Sequence, residues 1–194
     1  MGVRCALALT WITSAAVALG GCTSVRPFDP AAPEPLAPGE GLLLFVIDTE
    51  LPIQMLGFSG APAARDLPPG EHMILLAVDA GRYQWSELVF ETLDGRPMRW
   101  RLLSRGAVDL LDFRVEPGRL SYVGHFRIEG EIGDRYMRWS GGLENRSAHL
   151  VERLDRQYPG LLERYAPTFG GWHRDDFLER YGALLSEPRA GEVR

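Results

Sequence analysis

Four histidines, His72, His125, His149 and His173, are the chain's proton carriers and nitrogen ligands, and no two are spaced as an HExxH zinc helix requires. His173 with Asp175 and Asp176 comes nearest to a ligand cluster. At the head of a helix such carboxylates more simply satisfy free backbone N–H groups, and capping is the expectation. Ser86 or Ser121 with His125 and Asp112 supplies the residue types of a nucleophilic triad, with no GxSxG or SxxK signature to place them. Glu129, Glu131 and Asp134 supply carboxylates for a hydrolase or carbohydrate-active enzyme, provided folding sets two of them about 5–10 Å apart. Ser140-Gly141-Gly142 and Thr168-Phe169-Gly170-Gly171 lack phosphate-loop spacing and read as turns. The residues therefore predict no catalytic, cofactor or metal site, and the carboxylate enzyme stands as the alternative.

Charge narrows the partners. All 21 basic residues are arginine, so Schiff-base lysine chemistry and a Walker lysine are absent from the sequence. The net charge of −5 disfavours nucleic acid. Arg99, Arg101, Arg105, Arg127 and Arg138 are expected to form a basic face, and Arg99, Arg101 and Arg127 with Trp172 make a candidate surface for an envelope protein or anionic polymer. The competing reading pairs those arginines with Glu87, Glu91, Glu116 and Glu129 across a sheet. Tyr158, Tyr165, Trp172 and Tyr181 offer either an aromatic groove or a seam between helices and sheet.

Residues 1–21 carry one charge, Arg4, then an apolar run from Cys5 to Leu19 broken by Thr10, Thr13 and Ser14. That is the anatomy of an export signal. Leu19-Gly20-Gly21-Cys22 resembles the bacterial lipobox, a leucine three places before a cysteine with small residues between. The resemblance implies cleavage before Cys22, diacylglycerol on its thiol and attachment to a membrane without a spanning helix. Loss of Arg4 leaves a net charge of −6. Thr23 in place of aspartate favours the outer membrane, facing the periplasm. With Cys5 removed and Cys22 acylated, no thiol remains for a disulfide or a metal. Prolines 27, 30, 33, 35 and 38 make 22–41 a Pro-rich tether.

The elements that position these residues are mostly strands. Leu42 to Ile47 is an apolar run short enough for a strand buried on both faces, and His72 to Val78 has the same character. Between them the prolines and glycines predict irregular structure with one short strand near Gln54 to Phe58. Alternation marks strands over Tyr83 to Glu91, Met98 to Leu102, Leu111 to Val115 and Arg135 to Ser140. In the clearest strand, Leu120, Tyr122, Gly124, Phe126 and Ile128 are expected on one face and Ser121, His125, Arg127 and Glu129 on the other. Pro117-Gly118 fits a type II turn. From Asn145 the spacing turns helical, Pro159-Gly160 breaks it, and a second helix is expected over Arg174 to Leu185.

About seven short strands without interleaved helices predict a mainly β fold, an antiparallel β-sandwich over 42–142, with two or three helices over 143–186 and a tail at 187–194. LPPGEHMILL (67–76) and FRVEPGRLSYVGHFRIEG (113–130) resemble phrases of a group of bacterial envelope lipoproteins with a small transthyretin- or immunoglobulin-like sandwich. The likeness spans about Leu42 to Ser140 and implies architecture without chemistry. Together these readings predict a lipid-anchored envelope protein acting as a non-enzymatic binding or assembly module.

Overall fold

The structure, a computed structural model, describes residues 24–32, 34–102, 110–134 and 136–186. One sheet has the order β1 (Val25–Pro27), β5 (Gly70–Asp79), β2 (Glu40–Thr49), β9 (Leu120–Ile132), β10 (Met137–Glu144), with β11 (Pro167–Phe169) also on β9. The other has the order β4 (Ala61–Leu67), β3 (Ile53–Phe58), β6 (Gly81–Glu91), β7 (Pro97–Arg101), with β8 (Asp112–Val115) on β6. The two sheets enclose one core as a β-sandwich, and α1 (Ser147–Gln157), α2 (Leu161–Arg164) and α3 (Asp176–Ser186) build a second core against the outer face of the first sheet. Among the described residues no helix is long and apolar enough to cross a membrane.

The apolar run in β2 is explained by that layering. Leu43, Phe45 and Ile47 enter the inter-sheet core, while Leu42, Leu44 and Val46 enter the core under the helices. Such a strand has no solvent face to mark with polar residues. β2 pairs with β9 in parallel, as does β11, so the sheet is mixed where alternation alone suggested antiparallel pairing. β5 is less enclosed than β2: Leu76 to Val78 are buried, but Met73 to Leu75 are only half-buried, because β1 pairs alongside Leu76 to Val78 alone.

Two bulges redirect side chains. Leu44 pairs with Tyr122 and Val46 with His125, so β9 holds one residue more than β2 over that interval. Leu120 and Tyr122 therefore face the helices, whereas Val123, Phe126 and Ile128 face the other sheet. The single face expected for Leu120 to Ile128 is thus split at Gly124, whose φ of +117° suits only glycine. In β6, Phe58 pairs with Trp85 but Gly57 with Glu87, and the extra residue at Ser86 lets Tyr83, Trp85, Leu88 and Phe90 share one core. Ser86 sits at the irregularity, its hydroxyl buried and without a hydrogen-bond partner among the described residues.

β4 is a strand where irregular structure was expected. Ser59-Gly60, both at positive φ, form the two-residue turn that joins it to β3. Its Pro62 is tolerated because β4 is an edge strand. Pro117-Gly118 turns as expected, with Gly118 at φ +67° and the Arg119 N–H donating to the Glu116 carbonyl at 3.4 Å.

The Pro-rich stretch is not a free tether over its described residues. Val25–Pro27 lies along β5, Phe28 is buried with its ring edge-on to Tyr165 at 5.8 Å, and Arg26 donates to the buried Glu40 carboxylate at 3.0 Å. That bond and one from the Ala37 N–H hold the Glu40 carboxyl below its ordinary range. α1 and α3 begin on side-chain acceptors: Asn145 Oδ1 takes the Ser147 N–H, and Asp175 Oδ1 takes those of Phe177 and Leu178. α1 stops before Pro159-Gly160, and Gly160 has φ +85°. α3 starts at Asp176, two residues beyond the expected Arg174, because Asp175 caps it.

Candidate functional site

Alternation in β6 buries Tyr83 and Trp85 and leaves Arg82 and Gln84 exposed; in β8 it buries Phe113 and Val115 and leaves Asp112 and Arg114 exposed. β6 and β8 are antiparallel, with Arg82 directly opposite Arg114 and Gln84 opposite Asp112. The second pair is satisfied, as Gln84 Nε2 donates to Asp112 Oδ1 at 3.0 Å. The first sets like charges at cross-strand positions, which is destabilising. Neither guanidinium has an ion pair or hydrogen bond among the described residues. The segment after β11 closes this surface into a groove of about 520 Å³, with Gly170, Gly171 and Trp172 on one wall and Ser59 on another. The Arg114 N–H donates to the Gly170 carbonyl at 2.7 Å, and the Gly170 N–H to that of Tyr122 at 2.8 Å, so that wall is tied to both β8 and β9. The half-buried Trp172 ring is held edge-on by Phe169 at 5.5 Å and flanked by His173 at 5.3 Å.

A second, smaller pocket of about 290 Å³ lies between β9 and α1, lined by Val46, Glu71, Tyr122, His125, Arg146 and His149 with neighbouring α1 residues. The bulge in β9 turns His125 toward it. His125 is 4% exposed, and its Nε2 has no hydrogen-bond partner. Burial, reinforced by the Arg146 charge, pushes its pKa below the ordinary 6.5. Burial likewise pushes Tyr122 up to about 12. As pH falls through 6.5 the unfolded chain takes up a proton that the folded chain resists, so the folded state loses stability. The expected result is a urea midpoint that drops between pH 7 and pH 5 more steeply in the wild type than in His125→Gln; equal slopes would contradict it.

The residues singled out by sequence fall into separate places. His125 and His149 share the small pocket, whereas His72 bonds the Pro68 carbonyl and His173 lies against Phe169 and Trp172. No group of three or more metal-ligating side chains occurs among the described residues. The triad is not assembled: Ser121 Oγ accepts the Glu116 N–H on the side of the sheet away from His125, Ser86 belongs to the other sheet, and Asp112 is engaged by Gln84. Glu129 pairs with Arg127 at 2.7 Å and Glu131 lies 3.9 Å from Arg138, in different surface grooves, and Asp134 is exposed and lines neither.

The basic face is likewise divided. Arg99, bound to Glu87 at 3.0 Å, and Arg101, opposite Glu87 in the register, lie on the sheet of β6 and β7. Arg127 lies on the other sheet and Trp172 in the groove beside β8, while Arg105 and Cys22 are outside the described residues. Tyr158, Tyr165 and Tyr181 form the seam under the helices, and Trp172 alone of the four aromatics lines the groove. The sequence reading passed over Arg82 and Arg114, since an arginine after a turn and one in a short strand carry no mark until β6 and β8 pair.

Comparison with protein-family models, with curated proteins and with solved structures returned no match.

Proposed function

We propose that this chain is a lipid-anchored protein of the bacterial envelope, held at the outer membrane through Cys22 and facing the periplasm, whose sandwich serves as a binding module rather than a catalyst. The observation that carries the anchor is Leu19-Gly20-Gly21-Cys22 at the end of a short apolar segment with one basic residue before it. Acyl chains contribute about 0.8 kcal/mol per buried CH₂, so two or three of them hold a protein stably where one does not. Cys22 is two residues before Ser24, a reach of no more than about 7 Å. With Val25–Pro27 docked on β5, the anchor would set the domain close against the headgroups instead of lifting it on a stalk. The binding role is supported by the groove beside β8, which gathers two arginines without an ion pair among the described residues and an aromatic ring.

Expressed with its first 21 residues in a diderm bacterium, the wild-type chain is expected to partition into the detergent phase and Cys22→Ala into the aqueous phase. Mass spectrometry should find the mature wild-type chain beginning at an acylated Cys22. Equal partitioning, or a retained Met1, would overturn the anchor.

A further inference from the structure

The geometry points to the groove between β6, β8 and the Gly170-Gly171-Trp172 segment as a binding site for an anionic sugar unit, a pyranose carrying a carboxylate or a phosphate. This rests on the binding-module half of the function proposed above and is independent of the anchor. Three features of the groove carry it, each drawn from a different part of the chain.

The first is the Arg82–Arg114 pair. Antiparallel register sets the two arginines directly opposite each other, although Arg99, Arg127 and Arg138 elsewhere on the sandwich each have a carboxylate within 4.0 Å. Asp112, two residues along β8, is within reach of the same groove, yet it is bound by Gln84 and forms no ion pair with either guanidinium. A ligand oxyanion shared between the two guanidiniums converts their repulsion into paired, charge-assisted hydrogen bonds, which arginine makes with the planar geometry suited to carboxylate and phosphate.

The second is Trp172. Its ring is fixed by Phe169 and His173, so stacking a flat, partly apolar ring against it costs little side-chain ordering. The third is the set of polar groups lining the groove. Ser59, Gln84 and Asp112 combine a hydroxyl, an amide and a carboxylate, a mixture of donors and acceptors that fits hydroxyl groups, each of which both donates and accepts. At about 520 Å³ the groove is of the size that holds small molecules and exceeds what a bare phosphate or carboxylate would fill.

The test uses the purified full chain in detergent, titrated by calorimetry with glucose 6-phosphate and with glucuronate, and separately with glucose and with inorganic phosphate. Saturable binding is expected for one or both anionic sugars, at least about tenfold tighter than for glucose or for phosphate alone. Arg114→Gln and Trp172→Ala should each weaken it by about tenfold or more, while Arg156→Gln, on the exposed side of α1, should not change it. Arg82→Gln should weaken binding while leaving the melting temperature unchanged or raised, because it relieves the cross-strand repulsion; a folding defect would lower both. Phosphate binding as tightly as the sugar phosphate overturns the sugar. Sugar binding that survives Arg114→Gln and Trp172→Ala overturns the groove and leaves a binding module with its site elsewhere. No binding of either anionic sugar below about 10 mM overturns the ligand class, whatever the partitioning of the same preparation says of the anchor.

Discussion

Replacing Trp85 with alanine should lower the stability of the folded chain by about 3–5 kcal/mol, the largest effect expected of any single substitution in the sandwich. Trp85 is fully buried, and its ring meets Phe45 at 5.0 Å, Phe58 at 5.7 Å, Phe113 at 4.8 Å and Phe126 at 4.9 Å. Those partners come from β2, β3, β8 and β9, so one side chain joins both sheets. Its removal loses the transfer free energy of the indole and leaves a cavity that four aromatic rings on fixed strands cannot collapse to fill. Trp85 Nε1 is buried without an acceptor, so Trp85→Phe sheds an unsatisfied donor along with the ring's volume and should cost much less than alanine. Urea unfolding, with the slope of free energy against denaturant unchanged, checks both. Since small domains are stable by only about 5–15 kcal/mol, an alanine variant with wild-type stability would mean that the sheets do not pack on this residue.

Gly124→Ala is expected to cost about 1–3 kcal/mol from backbone strain, since φ +117° lies where residues with a Cβ are rarely found. Contacts add to that. The new Cβ would stand 2.8 Å from Leu143 Cδ1 and 3.1 Å from Trp172 Cζ3. Leu143 can move at little cost, but the Trp172 ring is wedged by Phe169 and His173, so displacing it should also weaken any ligand of the groove. Gly142→Ala is the matched control, because nothing lies within 4 Å of its Cβ position and its φ is ordinary. Comparable melting temperatures for the two variants would show that the bulge does not depend on glycine.

Much of the architecture was legible from local pattern. The apolar run of β2, the Pro117-Gly118 turn, the helical spacing after Asn145 and the break at Pro159-Gly160 each follow from a few adjacent residues acting on their own backbone. Of the residues that read as a capping cluster, Asp175 does cap a helix. The candidate site was legible only in Trp172. The basic face inferred from Arg99, Arg101 and Arg127 is split between two sheets, because alternation along a strand assigns a residue to a side without saying which sheet that strand joins.

By itself, then, the amino-acid order determined most of the strands, the main turns and the C-terminal helices, and that the whole is mainly β, but not β1, β4 or β11. Only the tertiary structure decided which charges meet and which face each one occupies. Arg82 and Arg114 are 32 positions apart and become neighbours through β6–β8 pairing, a contact set by the packing of the whole sandwich. His125 reaches the helix side of its sheet because one inserted residue at Gly124 reverses every side chain beyond it. Periodicity is a local property of the chain, whereas register and bulges are settled by the partner strand, and the placement of Arg82, Arg114 and His125 depends on the latter.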